Sequence, residues 1–215
     1  MNEVQIHAGR AVLSGNLDIP KDASVLVLFA HGSGSSRHSP RNQVVARILN
    51  EARLATLLFD LLTQEEEAID THTRELRFNI LFLAKRLSHA TMWANGQEQT
   101  RDLRIGYFGS STGGAAALVA AADNPRGVGA VVSRGGRPDL ADQALSKVQA
   151  PTLLIVGGND DIVIELNEQA RDRMHCEVKL EIIPGATHLF EEPGTLEKVA
   201  RLASEWFAKH IGSAH

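Results

Sequence analysis

The sequence predicts an α/β fold, with a mostly parallel, twisted sheet of about eight strands and helices on both of its faces. Short runs of β-branched and large apolar residues, such as Val25–Ala30, are typical of strands that are buried on both faces. Longer segments with apolar residues at helical spacing, such as Thr71–Ala90, separate these runs. Regular alternation of the two patterns favours parallel strands joined by crossover helices.

The elements follow in chain order. The segment VQIHAGRAVLSGNLDIP is predicted to form two short strands around the turn residues Ala8 and Gly9, with Pro20 ending the hairpin. The other predicted strands are Val25–Ala30, Leu54–Phe59, Leu103–Phe108, Val128–Ser133, Thr152–Val156 and Val178–Ile183. The predicted helices are Asn42–Ala52, Thr71–Ala90, the alanine-rich segment after Gly113, Leu140–Lys147, Ile162–Met174 and Thr195–His210. The acidic segment Asp60–Asp70 and the polar segment Met92–Asp102 are predicted to be loops.

Length and composition restrict the class of protein. A chain of 215 residues, 43% of them apolar, can bury one sizeable core, and one domain over residues 1–215 is predicted. The net charge of −4 and the pI near 6.1 argue against nucleic acid and anionic membranes as partners. No signal peptide or membrane span is recognised, and the single cysteine, Cys176, fits a reducing compartment. We therefore expect a soluble cytoplasmic protein, and no feature indicates its oligomeric state.

The strand-to-helix turn Gly109-Ser110-Ser111-Thr112-Gly113 matches the pattern GxSxG. A serine at the tip of such a turn has a strained backbone, and its neighbours must be small so that the chain can fold back. The apolar strand before the turn and the alanine-rich helix after it are the context that the pattern requires. Ser111, rather than Ser110, has a glycine two residues away on both sides, so Ser111 is the predicted nucleophile.

Polar residues follow the other strands at the edge of the sheet where α/β sites form. A serine hydroxyl needs a base to take its proton, and the base needs a carboxylate to orient it. His188 follows the last strand in a short loop and is the predicted base. Asp160 and Asp161 are the candidate acids, and Asp160 is preferred because it is nearer the strand end. Asp161 is suited to cap the following helix.

The loop after Val25–Ala30 is predicted to complete an oxyanion hole. We expect the backbone N–H groups of Ser33 and Thr112 to face the oxyanion. Arg37, Arg41 and Arg134 are predicted to fall in loops on the same face. They are either solvated or ion-paired, or Arg37 or Arg134 orients an anionic group of a substrate. The sequence has no GK[ST], GxGxxG or HExxH pattern and no paired cysteines, so neither a cofactor nor a metal is expected.

With these residues assembled, the chain resembles the dienelactone-hydrolase-like group of the α/β-hydrolase superfamily over essentially its whole length. The segments that carry the resemblance are FAHGSGSSRHSPRN, FDLLTQEEE, GSSTGGAAAL, VVSRGGRPDL, PTLLIVGGNDDIV and HLFEEPG. The group includes domains fused to phosphoribosyltransferases. The resemblance implies a triad of Ser111, Asp160 and His188, with oxyanion donors at Ser33 and Thr112.

Two departures refine what the resemblance implies. Dienelactone hydrolases have cysteine at the elbow, whereas this chain has Ser111, which favours a serine esterase. The interval from Arg134 to Pro151, where relatives with a lid insert it, is short, so an open site without a cap domain is expected.

The leading hypothesis is therefore a serine hydrolase that cleaves a carboxylic ester or a related small acyl substrate through an acyl-enzyme. Two alternatives stay open. The fold could serve as a non-catalytic binding or interaction module, or the same triad could transfer the acyl group to an acceptor other than water.

Overall fold

A computed structural model describes residues 2–212 and contains one eight-stranded sheet in the order β1-β2-β4-β3-β5-β6-β7-β8. The strands are β1 (Asn2–Ala8), β2 (Ala11–Asp18), β3 (Val25–Ala30), β4 (Ala55–Phe59), β5 (Arg104–Ser110), β6 (Ala130–Arg134), β7 (Thr152–Gly157) and β8 (Val178–Ile183). The β1–β2 and β2–β4 pairs are antiparallel, and all other pairs are parallel. The predicted mostly parallel sheet with an initial hairpin is confirmed.

Helices cover both faces of the sheet. They are α1 (Pro40–Glu51), α2 (Gln64–Thr73), α3 (Ile80–Gly96), α4 (Thr112–Asp123), α5 (Asp161–Arg173) and α6 (Thr195–Ile211). A 3₁₀ segment, Pro138–Lys147, lies between β6 and β7 and is interrupted at Asp142, where φ is 40°. This short segment fills the interval where a cap domain would be inserted, as the sequence predicted. In the part of the chain described, no helix has both the length and the apolarity needed to cross a bilayer.

Two apolar cores lie on opposite sides of the sheet, and β3 contributes to both. Leu26 and Leu28 face the core that contains α3 and α4. Val27 and Phe29 face the core that contains α1 and α6. Because successive side chains of a strand point to opposite faces, a strand in this position must be apolar at every residue. This explains the uninterrupted apolar run in the sequence.

The region between β4 and β5 differs from the prediction. The predicted loop Asp60–Asp70 contains the start of α2, because Thr63 and Glu66 form a capping box. The Glu66 N–H donates to Thr63 Oγ1 over 3.2 Å, and the Thr63 N–H donates to Glu66 Oε2 over 2.9 Å. The single predicted helix Thr71–Ala90 is therefore wrong at its start. The spacing Thr-x-x-Glu was the signal that could have located α2.

The connection from α2 to α3 also separates the two helices. Arg74 is in the left-handed region, with φ of 58°, and ends α2. Asn79 accepts a hydrogen bond from the Phe82 N–H and starts α3. Helix α3 continues to Gly96, so the predicted loop Met92–Asp102 is wrong over its first residues.

A buried carboxylate, Asp70, holds this connection in place. Its oxygens accept hydrogen bonds from the Leu76 N–H over 2.6 Å and from Arg77 Nε over 2.6 Å. Burial, the largest single effect, acts to raise the pKa of Asp70, but the hydrogen bonds from Arg77 and Leu76 outweigh it, and the pKa is lower than the usual value of 3.8. The Arg77 carbonyl in turn accepts a hydrogen bond from Ser33 Oγ over 3.0 Å. The connection therefore supports the loop after β3.

We expect Asp70→Asn to lower the free energy of unfolding at pH 7 by about 1–3 kcal/mol, because hydrogen bonds to a charged group are lost. A carboxyl whose pKa is lowered on folding stabilises the protein above its unfolded pKa, and this contribution is lost as the pH falls through the folded pKa. The difference from the unmodified protein should therefore shrink below about pH 4. Urea unfolding at several pH values measures it. Asp172→Asn, which changes an exposed carboxylate, is the control, and an equal effect of the two changes would contradict the assignment.

Candidate functional site

Ser111 lies between β5 and α4 in a strained backbone conformation, with φ of 51° and ψ of −121°. A non-glycine residue in such a conformation costs about 1–3 kcal/mol and persists where its surroundings determine it. The Ser111 N–H donates to the Arg134 carbonyl over 3.3 Å, and the Ser111 carbonyl accepts from the N–H groups of Gly114 and Arg137 over 3.0 and 3.1 Å. The side chain is thereby held at the tip of the turn, and the residue is partly exposed.

The two glycines of the motif are required by close packing. A Cβ atom on Gly109 would lie 2.5 Å from the Gly113 carbonyl oxygen. A Cβ atom on Gly113 would lie 2.0 Å from the Ala30 carbonyl oxygen. Neither position can hold a side chain without a shift of the backbone. The spacing GxSxG therefore has a steric cause on each side of Ser111.

Asp160 and His188 form a short, direct contact. Asp160 Oδ2 lies 2.6 Å from Nδ1 of His188, although the two residues follow different strands. The Asp160 side chain is 17% exposed and that of His188 is 40% exposed. Asp160 occupies the cap position of α5, but its side chain makes no capping hydrogen bond. Its carboxylate is directed to the imidazole instead.

The second candidate acid, Asp161, has a different position. The sequence predicted that Asp161 caps the helix after β7. Asp161 is instead the first residue of α5, because the helix begins one residue earlier than predicted. Asp161 is exposed, and a carboxylate in a first turn still interacts favourably with the helix dipole. Of the two acids, the structure joins Asp160 to His188.

The contact with Asp160 determines which nitrogen of His188 is free. When Nδ1–H donates to the carboxylate, Nε2 carries the lone pair and can accept a proton. The chain after β6 lies beneath this imidazole: a Cβ atom on Gly135 would be 3.2 Å from the His188 carbonyl oxygen and 3.5 Å from its Cε1. Since the Arg134 carbonyl also binds the Ser111 N–H, the end of β6 connects the serine turn to the histidine loop.

The predicted oxyanion donors, Ser33 and Thr112, lie against each other. The Thr112 N–H is the first of α4, where helix geometry leaves N–H groups without an intrahelical partner. The Ser33 N–H donates to Thr112 Oγ1 over 3.1 Å, and the two hydroxyl oxygens are 2.9 Å apart. The Ser33 side chain therefore joins the loop to α4 and to Arg77. The Ser33 N–H can donate to an oxyanion in two ways. It either donates to the oxyanion and to Thr112 Oγ1 at once, or it breaks its hydrogen bond with Thr112 Oγ1.

His31, which sequence reasoning left without a role, anchors the same loop. Its Nδ1 donates to the Gly32 carbonyl over 3.0 Å, and its Nε2 accepts from the Leu61 N–H over 3.0 Å. Burial lowers the pKa of His31 below 6.5, which favours the neutral ring that this pattern requires. A Cβ atom on Gly32 would lie 3.2 Å from Ser111 Cβ, so the anchored loop lies against the serine.

Of the three arginines predicted to lie in loops, Arg37 does, whereas Arg41 lies in the first turn of α1 and Arg134 is the last residue of β6. Arg37 donates from Nη1 to Asp60 and from Nη2 to Glu3, each over 3.0 Å, so the ion-paired alternative describes it in this structure. Arg134 is buried, and its Nε and Nη1 have no hydrogen-bond partner among the described residues. Arg41, close to it, has an ion pair with Glu191 over 3.3 Å.

A cavity of about 660 Å³ adjoins the site on the side of β4. His31, Arg37, Asp60 and Thr63 are among its lining residues, whereas Ser111 and His188 are not. Within residues 2–212, no group of three or more histidine, cysteine, aspartate or glutamate side chains is arranged to hold a metal ion.

Similar structures have the same fold. A dienelactone hydrolase from Anabaena variabilis is 60% identical, with a TM-score of 0.96 over 98% of this chain and 97% of that one. Est1E from Butyrivibrio proteoclasticus, at 18% identity, has a TM-score of 0.82 over 99% of this chain and 100% of that one. A serine hydrolase without a lid from Xanthomonas campestris, also at 18% identity, has a TM-score of 0.77 over 100% of this chain and 96% of that one.

Sequence comparison gives a related result. A protein of Mycobacterium tuberculosis named "Putative phosphoribosyl transferase" is 56% identical over 209 residues, which cover 97% of this chain and 46% of that protein. The chain thus spans about half the length of the curated relatives it matches. Residues 18–210 match the family described as the dienelactone hydrolase family. The match includes the serine turn, Asp160 and His188, and this chain belongs to the dienelactone hydrolase family.

Proposed function

We propose that this protein is a serine hydrolase that cleaves a carboxylic ester or a related small acyl substrate. The observation that carries the proposal is the 2.6 Å contact between Asp160 and His188, at the edge of the sheet where Ser111 lies in a strained turn. A nucleophile, a base and an orienting carboxylate are the parts that acyl transfer to serine requires. Membership of the dienelactone hydrolase family supports a hydrolase.

Acylation uses these groups in sequence. Ser111 Oγ attacks the carbonyl carbon while His188 Nε2 takes the hydroxyl proton. Asp160 holds the Nδ1–H and stabilises the imidazolium that forms. The Thr112 N–H, at the positive end of α4, donates to the oxyanion, and the Ser33 N–H joins it when it turns from the Thr112 hydroxyl. The bond to the leaving group then breaks, and His188 returns the proton to the departing oxygen.

Deacylation repeats the proton transfers with water. His188 takes a proton from a water molecule, whose oxygen attacks the acyl carbon. The bond between the acyl carbon and Ser111 Oγ then breaks, and His188 returns the proton to Oγ. The product is a carboxylic acid. The side chain of His188 is 40% exposed, and this supports access of solvent water to the acyl-enzyme.

We propose that the name of the mycobacterial relative describes the part of that protein that this chain does not match. The matched region is 46% of the relative, and the family match covers residues 18–210 of this chain. We therefore assign phosphoribosyl transfer to the part of the relative outside the matched region. Purified protein that transferred a phosphoribosyl group by itself would contradict this assignment.

Ser111→Ala is expected to abolish labelling by a fluorophosphonate probe and to reduce p-nitrophenyl ester hydrolysis by about 10³-fold or more, because the nucleophile is lost. Ser110→Ala, which changes the neighbouring serine, should keep the labelling. Mass spectrometry of labelled protein and initial rates measure the two results. Undiminished hydrolysis by Ser111→Ala would contradict the proposal.

The same measurements test the two alternative functions. Native protein that the probe does not label would indicate a binding module, and product analysis with competing alcohols or amines would reveal acyl transfer.

The adjacent acids provide a matched pair of variants. Asp160→Asn is expected to lower kcat by about 10²–10⁴-fold, because an amide favours the wrong imidazole tautomer and cannot stabilise the imidazolium. Asp161→Asn should change kcat less than about twofold, since its side chain is exposed. Steady-state kinetics on one ester compares them. Equal losses in the two variants would refute the role given to Asp160.

Variants of Thr112 test whether its hydroxyl supports the loop after β3. Thr112→Val is expected to lower kcat/KM about tenfold, because Ser33 loses the group that holds it against α4. Thr112→Ser keeps the hydroxyl and should retain most activity. Both variants should react with the fluorophosphonate probe. If Thr112→Val and Thr112→Ser hydrolysed the ester equally well, the hydroxyl would have no such role.

A further inference from the structure

Arg134 points from the carboxyl end of β6 toward the face of the sheet that α1 covers. In the parallel register it lies opposite Ser110 of β5 and Ile155 of β7, and residues paired in this way share a face. Ser110 Oγ donates to Oδ1 of Asn42, a buried residue of α1, over 3.3 Å. The guanidinium of Arg134 is therefore enclosed between the sheet and the first turn of α1, and only 7% of the residue is exposed.

No charged side chain within residues 2–212 pairs with this buried guanidinium. Its Nε and Nη1 atoms make no hydrogen bond, and none of the ion pairs in the described part of the chain includes Arg134. Burial, together with the nearby positive charge of Arg41, lowers the pKa of Arg134 to about 10. Arginine is rarely buried without a partner, because an unpaired charge in the interior is unfavourable. A bound anion would supply the missing partner and compensate the charge.

The first turn of α1 adds to the positive potential. Arg41 lies in this turn, and its Nε is also buried without a partner. The turn contains no acidic residue, and a helix N-terminus attracts anions. The carboxylate that reaches Arg41 belongs to Glu191, whose side chain is 64% exposed. Glu191 pairs with Arg41 from the surface and leaves Arg134 without a partner.

The backbone at Arg134 and Gly135 contacts both the serine turn and the histidine loop of the proposed hydrolase. The Arg134 carbonyl binds the Ser111 N–H, and the following residue, Gly135, lies beneath His188. Glu191 is three residues after His188, so its ion pair links Arg41 to the histidine loop. Arg134 and Arg41 therefore belong to elements that adjoin the serine turn and the histidine loop. Arg37, by contrast, is neutralised by Asp60 and Glu3.

We propose that Arg134 and Arg41 form an anion-binding subsite and that the substrate carries an oxyanion group, a carboxylate or a phosphate, which occupies it. Guanidinium groups bind both kinds of oxyanion through charge-assisted hydrogen bonds. The inference rests on the proposed function, because it describes the substrate of that reaction. The unpaired guanidinium is the part of the subsite that exists before substrate arrives.

Binding tests the subsite without catalysis. Glutarate and inorganic phosphate are titrated separately into Ser111→Ala protein at constant ionic strength, with sodium chloride as the reference. At least one anion should bind saturably, and Arg134→Met in the same background should weaken binding at least tenfold. Arg47→Met, which changes an exposed arginine of α1, is the matched control and should bind normally. The anion that binds identifies the class. Failure of both anions to bind would overturn the proposal.

Thermal stability distinguishes this role from a structural one. In buffer without polyvalent anions, Arg134→Met should have a Tm equal to or above that of the unmodified protein, because an uncompensated buried charge is removed. The increase in Tm produced by the anion should disappear in the variant. A markedly lower Tm in anion-free buffer would indicate that Arg134 already has a structural partner and would overturn the proposal.

Kinetics then tests the substrate class. The ratio of kcat/KM for mono-p-nitrophenyl glutarate to that for neutral p-nitrophenyl pentanoate should fall about 10–100-fold in Arg134→Met. Arg47→Met should keep the native ratio. An unchanged ratio with intact hydrolysis would refute the subsite and leave the proposed function standing. Hydrolysis of neither ester would count against the proposed function, while the binding titration would still decide the subsite.

Discussion

The contact between Gly113 and the end of β3 is the constraint on which the site depends. Helix α4 starts so close to Ala30 that a Cβ atom at Gly113 would lie 2.0 Å from the Ala30 carbonyl oxygen. This approach leaves the chain no space to turn gradually, so Ser111 takes a positive φ and its side chain is presented at the tip. It also brings the loop after β3 against the start of α4. One packing contact therefore determines both the exposure of the serine and the position of the Ser33 loop.

The loop after β3 is held by neighbours that are distant in sequence. His31 joins it to the loop after β4, and Ser33 joins it to Thr112 and to the Arg77 carbonyl. Arg77 is itself fixed by the buried carboxylate of Asp70. Oxyanion stabilisation requires donors that are already positioned, because reorganisation during the reaction reduces their benefit. The ion pair between Asp70 of α2 and Arg77 of the following connection therefore contributes to the geometry of a loop that includes neither residue.

The sequence predicted those features that depend on local patterns. Buried strands were recognisable from apolar runs, and the order of Ser111, Asp160 and His188 followed from their places after the strands that proved to be β5, β7 and β8. Helix α2 was missed because the acidic residues obscured the capping box at Thr63, although that signal is local. The unpaired state of Arg134 had no local signal, since it depends on which carboxylates lie nearby in space. The same is true of the bond between Ser33 and Thr112.

The composition of α4 limits where this protein can vary. Its residues from Thr112 to Ala121 are all buried, and most of them are glycine or alanine. The helix fits between the sheet and its neighbours because its side chains are small, and larger ones would overpack the core. Redesign or natural divergence of ligand preference therefore has little freedom on this helix. Changes in ligand preference are instead expected in the segments that follow β3, β6 and β8. These segments can change in length and chemistry while α4 and the serine turn stay the same.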